Sequence, residues 1–468
     1  MEKINIGLFC DAFYPMIDGV VCVVDNYAKN LSKIANVTVF APKGREEFDD
    51  SKLGYKVIRC NKSLKLSFLD YDMPLPKMDK EYMEALEEAK LDIVHIHSPF
   101  TIARTGLEYA KDHNIPIVAT LHSQFKKDFL RETKSELISA FMLKNIISVF
   151  NSCNECWAVN REVAKVYYHE YGLKKFPKVQ NNGTDLLPYE NEEEIKKLRL
   201  QYGIKDDEKV LLFIGRIIRL KNVFFIADCL KRLKENNFKY KMIYVGSGPD
   251  FDELKEYIKE LGLEKEIIFT GKIADRELLV KHYAMADLFV FPSMYDCSSL
   301  VQIEAASQHT PTIFVRGAVT SGTCTEGVDA YFAKEEVEDF SNKIMEIFKN
   351  DAEYQKIKEG AFNNLYVTWT GAVQKVYEEY LRVIDLYNKG FYVRHKTTIY
   401  KKHKNNIKVI VRKRYKLSKN EKLNQKKEEK KYYKLQKKSL KKSNKARKKA
   451  FKSTKTKASK SNKKIKSE

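Results

Sequence analysis

Short apolar runs alternate with longer amphipathic stretches along most of this chain. A run of about five consecutive apolar residues suits a strand buried on both faces, and the amphipathic stretches between such runs suit crossover helices. In the first half the pattern predicts strands at 4–9, 37–41, 55–60, 92–97, 115–120 and 156–159, then a turn-rich exit over 179–185. After a polar helix it restarts at 209–215, 240–246, 267–271, 287–291 and 311–315. Two parallel-sheet α/β domains follow, over 1–185 and 186–369, with a hinge near 183–205. A helical stretch at 370–390 is placed to return to the first domain. Beyond Gly390 the pattern stops. Residues 409–415 are the last apolar cluster, and from about 416 Lys, Ser and Asn dominate. Such a segment cannot bury enough apolar surface to fold alone, so 391–468 is expected to be a mostly disordered tail.

Composition agrees with two sizeable cores: 468 residues, 43% of them hydrophobic. The net charge of +22 is very unevenly spread. Residues 391–468 hold 32 Lys and Arg against four Glu, leaving 53 bases and 59 acids in 1–390, a net of −6. The body is thus mildly acidic, as soluble enzymes are, and a polyanionic partner is to be sought only at the tail. The eight cysteines show no framework spacing and read as small apolar fillers of a reduced core. Cys153 and Cys156 form a lone CxxC with no second pair to complete a zinc site. The opening INIGLFC reaches Asp11 too soon for a signal peptide, and SAFMLKNIISVF, broken by Lys144, is too short to span a bilayer. The expected location is cytoplasmic, with peripheral contact to the inner face of the cell membrane.

Candidate chemistry gathers at strand ends, where ligands of such sheets bind. No GxGxxG follows the first strand, which argues against a dinucleotide. Instead FYPMIDGVV places Pro15 and Gly19 in a loop, with a helix starting near Val20 whose N-terminus could meet a phosphate. An ordinary tight turn explains that loop equally well. His122 closes the strand at 115–120 and could touch a sugar or its leaving phosphate. In the second half, KVLLFIGRIIRLKN sets Arg216 and Lys221 five apart just after a strand, a spacing that can clamp a diphosphate. YVGSGP, with Gly246, is another strand exit suited to close backbone approach. Further on, Asp296 lies in a loop and Glu304, eight residues later, on an otherwise apolar helix. A carboxylate there can accept both hydroxyls of a ribose, and Ser298 and Ser299 leave room for backbone amides to reach a ligand. His95 and His97 share a strand face but lack a third metal ligand, and the Asp70–Asp72 pair sits in a loop before MPLP rather than closing a strand.

Taken together, PMIDGV, TLHS, NGTD, GRIIRLK, GSGP and DCSSLVQIE resemble, in collinear order over about residues 1–390, the motifs of the GT-B-fold glycosyltransferases of family 4. Within that family FYPMIDGVV, HIHSPF, ATLHSQF and FPSMYD are most similar to Gram-positive enzymes that glucosylate diacylglycerol. The resemblance implies two Rossmann-like domains facing across a cleft, donor on the second and acceptor on the first, and transfer with retention and without a metal or cofactor. It implies that Gly19 contacts the donor diphosphate, His122 the transferred sugar, Arg216 and Lys221 the diphosphate, and Glu304 the ribose. Three departures stand out. Asp296 replaces the usual Glu, Cys297-Ser298-Ser299 replace GFG, and Asp18 replaces the first Gly of the loop.

The leading expectation is therefore hexose transfer from a UDP-sugar, UDP-glucose foremost, to a membrane lipid. Rivals are a polysaccharide or protein acceptor, a nucleic-acid binder, and a non-catalytic scaffold. The acidic body, and a tail with only Tyr432, Tyr433 and Phe451 beyond 416 for stacking, weigh against nucleic acid. The basic, aromatic stretch 125–144 is a candidate helix for an anionic bilayer, and equally one packed on its own domain.

Overall fold

A computed structural model describes residues 3–65, 72–392, 395–401 and 408–414. Residues up to Tyr387 form one compact unit and those from Asn388 a second. In chain order the first unit opens with β1 (Asn5–Phe9), α1 (Gly19–Leu31), β2 (Asn36–Pro42), β3 (Lys56–Cys60) and a short antiparallel pair, β4 (Ser63–Leu64) with β5 (Met73–Pro74). It continues through α2 (Lys80–Glu88), β6 (Ile93–Ile96), α3 (Thr101–His113), β7 (Ile117–Leu121), α4 (Phe125–Thr133), α5 (Glu136–Phe150), β8 (Glu155–Ala158), α6 (Arg161–Lys165) and β9 (Lys178–Val179). These build a seven-stranded sheet in the order β3-β2-β1-β6-β7-β8-β9.

The pattern then repeats: α7 (Glu192–Gln201), β10 (Lys209–Ile214), α8 (Val223–Glu235), β11 (Tyr240–Val245), α9 (Phe251–Glu260), β12 (Ile267–Gly271), α10 (Arg276–Met285), β13 (Leu288–Phe291), α11 (Leu300–Ser307), β14 (Thr312–Val315), β15 (Tyr331–Ala333), α12 (Val337–Ile347), α13 (Asp351–Leu365) and α14 (Trp369–Asn388). Its sheet runs β12-β11-β10-β13-β14-β15. Every pairing in both sheets is parallel. Each strand order reverses beside the domain's first strand, between β1 and β6 and between β10 and β13. Those are the points where helices leave to opposite faces and a crevice opens at the carboxyl ends. The architecture is GT-B: two Rossmann-like halves, each around its own apolar core.

Particular residues explain the local choices. Phe9 stacks on Phe40 with ring centroids 4.5 Å apart, and Gly106 lets α3 lie on Phe9, since a Cβ there would come within 2.7 Å of the ring. Buried Asp11 starts α3 by accepting from the amides of Phe100 and Ile102 and from the Ser98 hydroxyl. The linker is tied down at Gly183, whose absent Cβ would lie 2.7 Å from the Trp369 nitrogen, while Thr184 exchanges backbone hydrogen bonds with Val367 and Trp369. From there α14 lies on the first sheet. Its Tyr380 hydroxyl meets His95, Arg382 pairs with Glu155, and Thr370 bonds Asn30.

Two elements differ from the sequence pattern. The stretch 125–144 is not one helix, because Lys134 takes a left-handed φ of 50° and Ser135 caps a new helix. In the second unit, β16 (His395–Lys401) and β17 (Lys408–Arg414) form an antiparallel ladder pairing His395 with Arg414 and Lys401 with Lys408. Disorder expected from about 416 onward falls outside the described residues. Among the described residues no helix is long and apolar enough to cross a membrane.

Candidate active site

Both reversal points supply polar groups, and the strand ends approach each other: Gln124, after β7, bonds the Tyr295 carbonyl in the loop after β13. In the second half the loop after β10 carries Arg216 and Lys221, and the loop after β13 carries Asp296. The ammonium of Lys221 sits 2.9 and 3.0 Å from the two Asp296 oxygens, and Ser293 donates to the same carboxylate at 2.6 Å. Arg216 is exposed and has no ion-pair partner among the described residues. One cation is thus held by a carboxylate, and the other has no such partner among the described residues.

Gly246 approaches the protein's own backbone closely. A Cβ at Gly246 would stand 1.9 Å from the Gly215 carbonyl oxygen, and one at Gly248 would stand 2.2 Å from that of Ile217. The GSGP turn therefore makes its close approach to the loop that holds Arg216, not to open space. Gly246→Ala should lower the thermal unfolding midpoint by roughly 5 °C or more, the scale of a forced backbone shift. A midpoint within 1 °C of the parent, checked by calorimetry, would show that the two loops are free to part.

Glu304 is nearly buried on α11. One of its oxygens accepts from the Tyr283 hydroxyl at 2.7 Å and the other from Arg276 at 3.2 Å. Arg276 also pairs with Asp185 of the linker. These donors fix the carboxylate but do not fill its lone pairs, so it can still accept from a diol. Ser299 precedes α11 without a side-chain cap, leaving the helix's first amides open to an acceptor.

On the first side, α1 begins at Gly19, and Asp18 accepts from the Val21 amide at 2.7 Å. This corrects the picture of an open helix N-terminus: a carboxylate of the chain itself already occupies one of its donors, the Val21 amide. A Cβ at Gly19 would meet nothing within 4 Å, so the space beside it is free.

His122 follows β7. Its Nε2 lies 3.1 Å from Nδ1 of His97, with the rings stacked 5.3 Å apart. His97 in turn lies 4.0 Å from His95. Both nitrogens of His95 are engaged, by Tyr380 at 2.6 Å and Thr120 at 2.7 Å. Burial holds all three imidazoles neutral, pushing His122 down to about 3 and the other two well below the usual histidine range. Among the described residues no cluster of three His, Cys, Asp or Glu side chains is arranged to hold a metal ion. Asp70 lies outside the described residues, while Asp72 pairs with Arg45 at 2.8 Å.

Several groups that join the halves carry no signal in the sequence. The Gln124 amide donates to the Tyr295 carbonyl at 2.7 Å, Lys127 to that of Met294, and Tyr295 to Asp128 at 2.6 Å. Asn160 donates to the carbonyls of Cys297 and Val319 at 2.5 and 2.9 Å. Cys297 is buried within the first half's core. The first residue of the departure from GFG is therefore packed into the opposite half.

The comparisons agree with this architecture. Residues 17–186 match the Glycosyltransferase Family 4 model, and residues 194–364 match Glycosyl transferases group 1. The chain is 27% identical over 316 residues to the alpha-monoglucosyldiacylglycerol synthase of Streptococcus pneumoniae, across 66% of this chain and 70% of that one. It is 26% identical over 346 residues to the enzyme of the same name from Acholeplasma laidlawii, across 70% and 84%. HepE of Anabaena, solved in complex with UDP and glucose, shares the fold with a TM-score of 0.62 and 18% identity, over 81% of this chain and 99% of that one. Two parallel sheets with facing reversal points, and a family model matched to each half, place this chain among the GT-B glycosyltransferases: it is a transferase with a family 4 first half and a group 1 second half.

Proposed function

We propose that the enzyme moves a hexose from a UDP-sugar, UDP-glucose foremost, to a hydroxyl of a membrane lipid such as diacylglycerol. Transfer proceeds with retention and without a metal ion. The observation that carries this reading is the cation arrangement at the second reversal point: Lys221 held by Asp296, and Arg216 exposed beside it. The donor diphosphate lies against these two cations, the amides at the start of α11 and Gly19, while Glu304 accepts the ribose hydroxyls. Gly246 supports the loop from behind, and His122 and Asp296 face the transferred sugar. As the bond from the anomeric carbon to the phosphate oxygen breaks, its electron pair stays on the β-phosphate, where Arg216 and Lys221 stabilise it. The acceptor oxygen attacks from the same face, and its proton passes to that phosphate oxygen. Two relatives named as glucosyldiacylglycerol synthases support the sugar and the lipid.

A membrane acceptor also fits the surface. On α5, Leu137, Ile138 and Phe141 are 82, 50 and 69% exposed along one helical face, with Lys134 and Lys144 exposed beside them. The net +28 of 391–468 adds a second, diffuse attraction to anionic lipid, about 1 kcal/mol for each Lys near the leaflet. Truncation at about residue 415 should sharply reduce sedimentation with anionic vesicles while leaving turnover of a soluble acceptor mimic unchanged. Equal sedimentation of both forms would move the anchor to α5.

The activity test is to incubate the protein with labelled UDP-hexoses and host lipid extract, and to identify the product by mass. Turnover should survive EDTA, because fixed cations supply the charge that a divalent ion provides elsewhere. Complete loss restored by magnesium or manganese would overturn the metal-free reading.

A further inference from the structure

The three-histidine stack holds more than the sugar contact assigned to His122. His95 spends both nitrogens on hydroxyls, of Tyr380 and Thr120. His97 does not. Its ring is 2% exposed, its Nδ1 meets only His122, and its Nε2 is buried with no partner. An imidazole placed so deep, with one nitrogen unsatisfied, gains little for the fold from its polarity. All its hydrogen-bonding capacity is directed at His122.

We infer that His97 is a positioning residue that sets the tautomer of His122, keeping its proton on Nδ1 and so presenting one N–H donor to the transferred sugar. This rests on the sugar contact proposed above. A neutral imidazole carries one N–H and one lone pair. The 3.1 Å contact between His97 Nδ1 and His122 Nε2 therefore holds a single proton, and two arrangements exist. If His122 donates, its outward Nδ1 is a bare lone pair, and the proton of His97 must sit on Nε2. That would bury an N–H with no acceptor; the Tyr27 ring, perpendicular to His97 with centroids 5.5 Å apart, is at most a weak one. If His97 donates, its buried Nε2 is only an unfilled lone pair, and His122 carries its proton on Nδ1. Orphaned buried N–H groups are the rarer and costlier defect, so the second arrangement prevails.

The outward Nδ1 of His122 has no hydrogen-bond partner among the described residues. It stands two positions before Gln124, whose amide reaches the loop carrying Asp296. A donor there can meet a sugar oxygen on the donor side of the crevice. The same logic explains why the nitrogen of a histidine that acts is chosen by the bond its other nitrogen makes.

The test uses the full chain labelled with [15N]histidine. His122 is assigned by the signal missing from His122→Gln, and the tautomer is read from nitrogen shifts at pH 8. Wild type should show a protonated Nδ1 and a bare Nε2 on His122. His97→Asn, whose amide occupies the place of Nδ1, should keep that tautomer. His97→Phe should release it, shifting protonation toward Nε2 and lowering kcat about tenfold, the worth of one hydrogen bond, with the KM for UDP-glucose changed less than twofold. Protonated Nε2 on His122 in wild type overturns the inference, as does an unchanged tautomer in His97→Phe. If His97→Phe does not fold, the wild-type spectrum and His97→Asn still decide. If the tautomer is as expected but no UDP-hexose is consumed with any acceptor, the tautomer assignment stands and the proposed sugar contact fails.

Discussion

Lys221→Ala will lower sugar transfer about 100-fold or more, the scale on which losing one charge-stabilising donor acts. The loss should exceed that simple estimate, because removing Lys221 leaves Asp296 with only Ser293 and turns its carboxylate on an incoming diphosphate. Asp296→Ala makes the contrast. It frees Lys221 to follow the phosphate while losing orientation, so its cost should be smaller. The two changes together should cost less than their sum, since both act on one pair. Arg216→Ala should lie nearer Lys221→Ala, because Arg216 is exposed and has no ion-pair partner among the described residues. The check is kcat/KM for UDP-glucose in a lipid-extract assay. Near-normal turnover in both Lys221→Ala and Arg216→Ala would place the diphosphate elsewhere.

The second large effect is loss of stability in mild acid. His95, His97 and His122 are held neutral by burial, while unfolded histidine titrates near 6.5. The unfolded chain therefore takes up protons that the fold refuses. Stability is complete above about pH 6.5 and falls as pH drops below it, by about 1.4 kcal/mol per group per pH unit. Asp11 works the other way. Burial raises its folded pKa to about 6, so between about pH 6 and 4 the fold binds a proton first and gains from acid. Burial also lowers His282 and raises Asp128, one on each side, so the histidines still outnumber the acids and the net effect is a loss of stability as pH falls. The unfolding midpoint measured from pH 7.5 to 5 should fall steeply below 6.5, and His97→Asn should shallow that slope. A midpoint that holds steady down to pH 5 would contradict the neutral stack.

Much of this protein is legible in its sequence. The strand at 209–214 matches its apolar run almost residue for residue, because a strand covered on both faces has no polar position to blur its limits. Lys221 and Asp296 were singled out separately, one from each loop. Their ion pair was not, since nothing in either segment encodes a contact across 75 residues. The helical break at Lys134 was missed because a left-handed lysine has no compositional mark, unlike a glycine in the same role. The loop Asp18 was seen as a departure, but its use as a helix cap became visible only with the Val21 amide in place.

The sequence by itself determined two parallel-sheet domains, the strand ends on which chemistry would gather, and the residue types there. These follow from local rules: hydrophobic period, cap chemistry and the spacing of cations after a strand. Only the tertiary structure decided which groups meet. It placed Cys297 in the opposite domain's core, turned the GSGP turn against the Arg216 loop, and gathered His95, His97 and His122 at the ends of two neighbouring strands. The reason is physical. Parallel strands bring residues side by side only through register and crossover, and the crevice exists only once two separate cores have closed upon one linker.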